Sequence, residues 1–365
     1  MDFGLSEEQR QLKDSARAFL SGECPTSTLR KIMASENGYP RELYAEVAKL
    51  GWSGLIVPEE FGGAGLGMLD MAMLLEEGGY AAMPGPFLFS SVLAASALKF
   101  GGSTELNSKW LAPLGEGKAI GTVAVVERAG SIEAIDIAAT ASKDGARWRL
   151  DGTKMFVPYA NVADFVVVAA RNDAGEILLF VVDTKSPGVT VRSLKNLDLT
   201  RRISAVELKD VPADALRGGV DLFAKLIDVA AVAIAADSLG GTERALEMAV
   251  EYSKIREQFG KPIGSVQALK HAAAEIVADL EPARALVWYA AHGAGENSSR
   301  EASMAKARLC DIYSRGTDRA VLMHGGIGFT WEHDMHLWFK RARFNESYFG
   351  SPGYHRERVA VLGGY

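Results

Sequence analysis

The chain has 365 residues and a formal net charge of −6, with 48% hydrophobic and 24% charged residues. This length allows a large core and two or three domains, and the composition is ordinary for a globular protein. The acidic balance argues against a nucleic-acid-binding protein, because such a protein needs a basic face.

The first third of the chain is predicted to be mostly helical. Ser6-Glu7-Glu8-Gln9 is a capping box, S-x-x-Q, and predicts a helix that runs to about Leu20. Further helices are predicted at 41–50, 68–80 and 88–100, with a glycine-rich loop, PEEFGGAG, at 58–65. Met1 to Leu12 is charged and helical in pattern, which predicts that the chain has no signal peptide and is cytoplasmic.

Short β-rich segments follow, and long helices return after them. The predicted strands are 122–126, 137–142, 146–150, 164–170, 177–182, 189–194 and 204–208. Short strands with polar turns predict a compact barrel or sandwich. The predicted C-terminal helices are about 221–255, 264–293, 299–323 and 334–347. We therefore expect an α+β protein with a helical domain at 1–118, a β domain at 119–213 and a four-helix bundle at 214–365.

Neither a metal site nor a membrane span is predicted. Cys24 and Cys310 are far apart and belong to no Cys/His cluster, so no metal is expected. Lone cysteines of an intracellular protein are usually buried thiols. The longest apolar stretch, around 229–236, is too short and too rich in alanine to span a bilayer.

The segment REQFGKPIG, residues 256–264, separates two long predicted helices. Gly260 ends the first helix and Pro262 enters the second. Two interpretations are open. The segment is a helix hairpin with an exposed arginine, or Arg256 grips phosphate oxygens with two donors while Phe259 covers an adjacent ring.

The segment HGGIG, residues 324–328, precedes the helix at 334–347. Its glycines let backbone N–H groups approach an anion closely, although a plain turn is the commoner origin of a GGxG pattern. His324 is expected to be a packed histidine rather than a ligand or a base. In the helix that follows, Met335, Trp338, Phe339 and Ala342 are predicted to face the core, and Lys340, Arg341 and Arg343 to form the solvated side.

A third segment, GTKMFVP at 152–158, follows the predicted strand 146–150. Phe156 in this segment either stacks on a flat ring or lies in the core. A core position is the default for an aromatic side chain in a β domain.

These motifs, in this order and in a helix–β–helix chain, resemble the acyl-CoA dehydrogenase family. The likeness runs from Met1 to Tyr365 and includes RxxFG, the later Gln267, HGGxG and PEEFGGAG. It implies an FAD flavoprotein that removes hydrogen from Cα and Cβ of an acyl-CoA thioester. A glutamate takes the α-proton, the hydride passes to flavin N5, and electrons leave to an electron-transfer flavoprotein. It also implies a dimer or tetramer in which one chain surrounds the flavin and its neighbour holds the adenosine diphosphate.

The resemblance assigns cofactor contacts residue by residue. On the adenosine side these are Arg256, Phe259, Gln267, Gly325, Gly326 and Gly328. Leu322 departs from the pattern, because the family usually has a glutamine there. On the flavin side Ser131 and Phe156 are kept, but the segment 126–132 lacks the usual threonine, proline and aspartate. Pro158 offers flavin N5 neither a hydroxyl nor an N–H group.

Both positions of the family's catalytic base are empty. Phe349 occupies the glutamate position of the Y-E-G-[TS] motif, and Ala230 occupies the alternative position in the first long C-terminal helix. A general base typically contributes about 10²–10⁴-fold to a rate, so its loss is not a neutral variation. Asp237 and Glu346 are candidate substitutes. The alternatives are a buried polar or interface contact for Asp237 and a solvated helix residue for Glu346.

Three functions stay open. The chain is similar to the short partner chains of bacterial heterotetramers that dehydrogenate bulky acyl-CoAs, such as steroid side-chain thioesters, in which a longer related chain supplies the base. The second possibility is a self-sufficient homo-oligomeric flavoenzyme with an unusual base. The third is a non-enzymatic, flavin-free scaffold or acyl-CoA binder. The retained phosphate clamp argues against the third, because a pure scaffold has no use for one.

Overall fold

The computed structural model describes residues 4–145, 147–294 and 298–365. Helices at both ends of the chain and a sheet in the middle confirm the predicted α+β class. Backbone contacts divide the chain into two compact units. One contains the residues up to Lys31, Ala72–Met83 and Ala231–Tyr365, and the other contains Ile32–Met71 and Pro84–Ala230. The domain boundaries after residues 118 and 213 stay a prediction.

Helices dominate the first third, as predicted. The capping box forms, since Ser6 Oγ accepts from Gln9 N at 3.2 Å and Gln9 Oε1 accepts from Ser6 N at 3.0 Å. The helices are α1 Glu7–Glu23, α2 Thr26–Ala34, α3 Arg41–Lys49, α4 Met68–Tyr80, α5 Ala95–Gly101, α6 Thr104–Leu106 and α7 Ala112–Gly115. The predicted helix at 88–100 begins as a π-helix, Leu88–Ala94, and the sequence analysis does not predict α2.

The middle of the chain forms a closed sheet. Its strands are β1 Gly121–Ala124, β2 Thr140–Asp144, β3 Arg147–Pro158, β4 Phe165–Asn172, β5 Ile177–Asp183, β6 Val189–Leu194 and β7 Ile203–Ala215. The pairings run β4–β2–β3–β7–β5, and β5 pairs with β4 again, which closes a barrel. β1 adds to β4, and β6 adds to β7. Small, branched and aromatic side chains fill the interior, among them Ala141, Leu150, Val168, Phe180 and Val206.

The predicted strand at 137–142 is wrong in its first half. A 3-10 turn occupies Ala134–Asp136, and β2 begins only at Thr140. Side chains satisfy much of the backbone of this stretch, and β4 contributes one bond, from Arg171 N to the Ala139 carbonyl at 2.8 Å. Arg171 donates to the carbonyls of residues 134, 135 and 137, and Glu127 accepts from the N–H groups of residues 138 and 139. Ala146, which begins another predicted strand, lies outside the described residues.

Long helices return after the sheet, as predicted. They are α8 Gly219–Ile255, α9 Gln267–His292, α10 Ser299–His324, α11 Met335–Ser347 and α12 Pro352–Leu362. A two-stranded hairpin, β8 Glu257–Gln258 and β9 Lys261–Pro262, joins α8 to α9. α9, α11 and α12 all contact α10. Within the described ranges, each helix is too short or too polar to traverse a bilayer.

The sequence analysis does not predict α12, although its start carries a signal. Ser351 caps this helix, since its Oγ accepts from Tyr354 N at 3.2 Å. Pro352 follows at the first helical position, where its fixed φ fits the helix and its missing N–H costs nothing. A serine followed by a proline therefore marks this start.

Candidate functional site

A cavity of about 410 Å³ brings two of the predicted motifs together. Its lining residues come from the end of α8, the following hairpin, the end of α10 and the glycine turn: Tyr252, Arg256, Gln258, Ile263, Leu322, Met323, His324, Gly325, Gly326 and Ile327. Gly325 has a φ of +68°, a conformation that favours glycine. At Gly325 and Gly326, no other heavy atom of the described chain lies within 4 Å of where a Cβ would stand. An anion can therefore approach this backbone closely, beside a guanidinium group.

Three of the predicted adenosine-side residues lie outside this lining. Phe259 is 96% exposed at the hairpin turn, where its φ of +55° is unfavourable for a side chain. Gln267 is the exposed first residue of α9. Gly328 is buried, and a Cβ there would lie 2.7 Å from the Val321 carbonyl oxygen. Gly328 therefore shapes the turn, while Phe259 and Gln267 face outward.

Two polar residues of the lining, Tyr252 and Gln258, were not predicted from the sequence. Gln258 lies inside the RxxFG motif, between Arg256 and Phe259. Tyr252 lies four residues before Arg256 at the end of α8, and side chains at this spacing share one helix face. The helical spacing from Arg256 was therefore a usable signal for Tyr252.

The flavin-side motif residues lie in and near β3. Phe156 is 41% exposed and has a φ of +55°, so the default expectation of a core position is wrong. The pairing of β3 with β7 is irregular between Lys154 and Val157, and this irregularity turns the ring outward. Ser131 Oγ accepts from Glu133 N at 3.0 Å and closes a local turn.

A buried ion pair holds the loop that contains Ser131. Lys154 Nζ lies 2.6 Å from Glu127 Oε1 and donates to the Val125 carbonyl at 3.1 Å. Burial opposes ionisation of Glu127. The bond from Lys154 and two backbone N–H groups outweigh it, so the pKa of Glu127 is lowered. The pair ties the segment 126–132 to β3.

Phe349, which the resemblance places at the usual base position, is buried. Its φ is +53°, and its ring meets that of Tyr348 edge-on at 4.9 Å between centroids. Its carbonyl oxygen accepts from His355 Nε2 at 2.8 Å. A phenyl ring offers no lone pair to a proton, so this position provides no base. Ala230, the alternative position, is fully buried within α8.

The two candidate substitute carboxylates already have protein partners. Arg341 Nη2 lies 2.7 Å from Asp237 Oδ1, Arg341 Nε lies 3.2 Å from Oδ2, and Asn345 Nδ2 donates to Oδ2 at 2.7 Å. Glu346 Oε2 accepts from Ser314 Oγ at 2.9 Å and from Arg343 Nη1 at 3.1 Å. These contacts favour structural roles for both. Their part in catalysis stays a prediction.

Arg341 corrects the predicted polarity of α11. It is predicted to lie on the solvated side, but it is 3% exposed. Its guanidinium also donates to the Met83 carbonyl at 3.0 Å, so Asp237 and a backbone oxygen share its donors. A fixed guanidinium fork of this kind is the cation best suited to a buried pair.

His355 gives the protein an acid-sensitive contact. The Phe349 carbonyl only accepts, so Nε2 carries the proton, and Nδ1 accepts from Ser303 Oγ at 3.2 Å. Burial, with the nearby charges of Lys306 and Arg358, lowers the pKa of His355 to about 3. The unfolded chain binds this proton near pH 6.5, and the folded chain binds it only near pH 3.

The free energy of unfolding is therefore expected to fall as the pH drops from 6.5 towards 3. The His355→Gln variant, whose amide can also donate to the Phe349 carbonyl, is expected to show a shallower fall. Urea unfolding of both proteins at several pH values between 4 and 8 measures the difference, on the order of 1 kcal/mol or more at pH 5. Equal slopes would contradict this account of the histidine.

Comparison with known proteins identifies three consecutive family domains. The acyl-CoA dehydrogenase N-terminal, middle and C-terminal domain models match residues 6–118, 122–211 and 217–361. The acyl-CoA dehydrogenase IpdE2 of Mycolicibacterium smegmatis is 34% identical over 359 residues, covering 98% of each chain.

Two solved structures, each named for a pair of proteins, share the fold. The ChsE4-ChsE5 complex of Mycobacterium tuberculosis contains a chain with 30% identity and a TM-score of 0.93, covering 100% of this chain and 99% of that one. The Tcur3481-Tcur3483 steroid ACAD contains a chain with 31% identity and a TM-score of 0.91, with 98% of both chains covered. By its domains and its full-length relatives, the chain belongs to the acyl-CoA dehydrogenase family, whose members are flavoprotein oxidoreductases.

Proposed function

We propose that this chain is a subunit of a heteromeric FAD-dependent acyl-CoA dehydrogenase. It contributes the adenosine half of a shared FAD site, and a related chain supplies the catalytic glutamate and the flavin contacts. One contrast carries the proposal: the cavity of Arg256, Gly325 and Gly326 is formed, whereas Phe349 occupies the base position. Similar chains in two structures that are named for pairs of proteins, ChsE4-ChsE5 and Tcur3481-Tcur3483, support it.

The exposed apolar surface around the cavity is suited to binding a partner chain. Five large apolar side chains on the same stretches of chain are between 56 and 96% exposed: Ile255, Phe259, Leu322, Phe329 and Trp331. Soluble monomers rarely expose so many apolar side chains together, and such patches mark interaction surfaces. A second chain laid over this surface buries these side chains and encloses the open side of the cavity.

The adenosine half of FAD fits the residues present. The cavity volume lies in the range of about 300–1,000 Å³ usual for ligand sites. Arg256 can donate two hydrogen bonds to a diphosphate, and the open glycine turn admits its oxygens. Phe259, exposed at the hairpin, can cover a ring held by the neighbouring chain.

The residues expected on the flavin side do not provide the hydrogen-bond donors that a flavin needs. Pro158 has no N–H group, and its carbonyl already accepts from Thr122 Oγ1 at 2.6 Å. When bound, FAD supplies the acceptor for the substrate hydride. In this proposal the partner's glutamate removes the α-proton of a bulky acyl-CoA, and an electron-transfer flavoprotein takes the electrons. In this chain Phe349 and Ala230 offer no carboxylate as a base, and Pro158 offers no N–H group to flavin N5.

The Arg256→Ala substitution is expected to weaken FAD retention in the assembled oligomer about 10-fold or more, because it removes charge-assisted hydrogen bonds to the diphosphate. The measurement is the flavin absorbance per assembled complex after extensive dialysis. Lys254→Ala removes an exposed cation from the same helix end and serves as the matched control. If Arg256→Ala retained as much flavin as the control, the adenosine half-site would be placed elsewhere.

A further inference from the structure

His324 has a buried nitrogen that lacks a partner. The residue ends α10, lines the cavity and is 4% exposed. Its Nδ1 lies 2.7 Å from the Ala320 carbonyl oxygen, which only accepts, so Nδ1 carries the proton of the neutral ring. The lone pair of that ring is then on Nε2. Among the described residues, no group forms a hydrogen bond with Nε2.

Two neighbouring rings keep this imidazole in place. The Tyr252 ring stacks on it at 4.6 Å between ring centroids. The His333 ring, just before α11, lies 4.4 Å away between centroids. Together with the bond to Ala320, these contacts fix the direction of Nε2. A buried acceptor without a partner destabilises a protein, and such an atom in a native structure calls for an explanation.

The chemistry of the cavity limits what can satisfy this acceptor. Arg256 offers only donors, and it suits the oxygens of a diphosphate. A diphosphate near neutral pH has few or no protons to donate, so it cannot satisfy Nε2 of His324. The hydroxyl groups of a sugar and the amino group of a purine can donate.

We propose that Nε2 of His324 accepts a hydrogen bond from the nucleoside part of the ligand, and so makes this cavity prefer adenosine diphosphate over an analogue that lacks the bonded donor. The inference rests on the proposed function and adds a specificity-determining residue to that site. The donor is a sugar hydroxyl or the exocyclic amine of the base. Arg256 contributes affinity that is common to all phosphorylated ligands, and His324 contributes the discrimination among them.

The charge state of the ring gives a second readout. Burial and the neighbouring His333 lower the pKa of His324, while its bond to Ala320 raises it. The other charged groups nearby are Arg256, directly after α8, and the Arg30–Asp334 pair beside His333. Nε2 is therefore a neutral acceptor above the lowered pKa and is lost as an acceptor when acid protonates it. A purely ionic role would have the opposite sign, since an imidazolium attracts phosphate.

The test is titration calorimetry of the full-length chain with four ligands: ADP, 2′-deoxy-ADP, 3′-deoxy-ADP and purine riboside 5′-diphosphate, which lacks the amine. One of the three analogues lacks the group that donates to Nε2, and ADP is expected to bind about 3- to 10-fold more tightly than that analogue. This ratio of dissociation constants is the usual effect of losing one neutral hydrogen bond. The identity of that analogue distinguishes the sugar from the base. The preference is expected to shrink as the pH is lowered.

Two matched variants isolate the nitrogen. His324→Asn keeps a donor near the Nδ1 position and removes the acceptor, so it is expected to bind ADP and that analogue equally. His324→Gln keeps an acceptor near the Nε2 position and is expected to retain part of the preference. Arg256→Ala is expected to weaken all four ligands by the same factor and to keep their ratio.

Each result has a definite reading. If His324→Asn discriminates as well as the native chain, or if the native chain prefers no ligand, the inference is overturned while the proposed cofactor site stands. If the native chain does not bind ADP, or if Arg256→Ala binds it equally well, the proposed site fails and the inference fails with it. If acid strengthens the preference for ADP, the ring acts as a cation and the acceptor role is wrong.

Discussion

The chain purified alone is expected to show no acyl-CoA dehydrogenation, and a related partner chain is expected to restore it. Phe349 and Ala230 leave both predicted base positions without a carboxylate, and Asp237 is held in a buried ion pair. A missing general base by itself lowers a rate about 10²–10⁴-fold. Pro158 also removes a hydrogen-bond donor from the flavin side. These losses act on the same step, so turnover by the lone chain should fall below detection.

The measurement is acyl-CoA-dependent reduction of an artificial electron acceptor with short, long and ring-bearing thioesters. The active assembly is expected to contain one FAD per heterodimer. Phe349→Leu in that assembly should leave its turnover nearly unchanged. Phe349 is 1% exposed, and leucine fills its place better than alanine would. A loss of activity in this variant would therefore not result from a destabilising cavity.

Robust turnover by the lone chain, with one flavin per subunit, would refute the heteromeric proposal. It would favour a self-sufficient enzyme, and Asp237→Asn and Glu346→Gln would then locate the base. A chain that stays colourless with every related partner would instead favour a flavin-free scaffold. The flavin colour of the chain, purified alone and with related partner chains, therefore distinguishes the three functions before any substrate is known.

Arg341→Met is expected to lower the free energy of unfolding by about 3–5 kcal/mol, the usual cost of removing one partner of a buried ion pair. The side chains of Arg341 and Asp237 are 4% and 3% exposed, so water cannot replace the guanidinium. The substitution also removes the donor to the Met83 carbonyl. Urea unfolding measures the loss as a shift of the midpoint at an unchanged slope.

Arg315→Met is the matched control for this prediction. Arg315 pairs with Asp279 at 2.6 Å, but its side chain is 52% exposed, and pairs of this kind contribute about 0–1 kcal/mol. The double variant Arg341→Met/Asp237→Leu should recover much of the loss, because it removes the buried charge as well as its partner. A loss in Arg341→Met no larger than in the control would show that the buried pair is not a significant source of stability.

The sequence by itself determined the local elements and the motif content. The capping box at Ser6, the helix Met68–Tyr80 and the strand Val189–Leu194 follow from short-range signals and form as predicted. Hydrogen bonds between near neighbours and side-chain periodicity decide these elements, and both can be read from the chain. The absence of a carboxylate at residue 349 is likewise a property of the sequence, since phenylalanine has none in any fold.

Only the tertiary structure decided which side chains meet. Arg256 and Gly325 are about seventy residues apart, and the packing of helix ends places them in one cavity. Arg341 is buried because Asp237 on another helix neutralises it, and helical periodicity cannot reveal that partner. Arg171 and Glu127 replace the first half of a predicted strand with side-chain hydrogen bonds. The partner-free nitrogen of His324 depends in the same way on Ala320, Tyr252 and His333, because long-range contacts set both burial and hydrogen bonding.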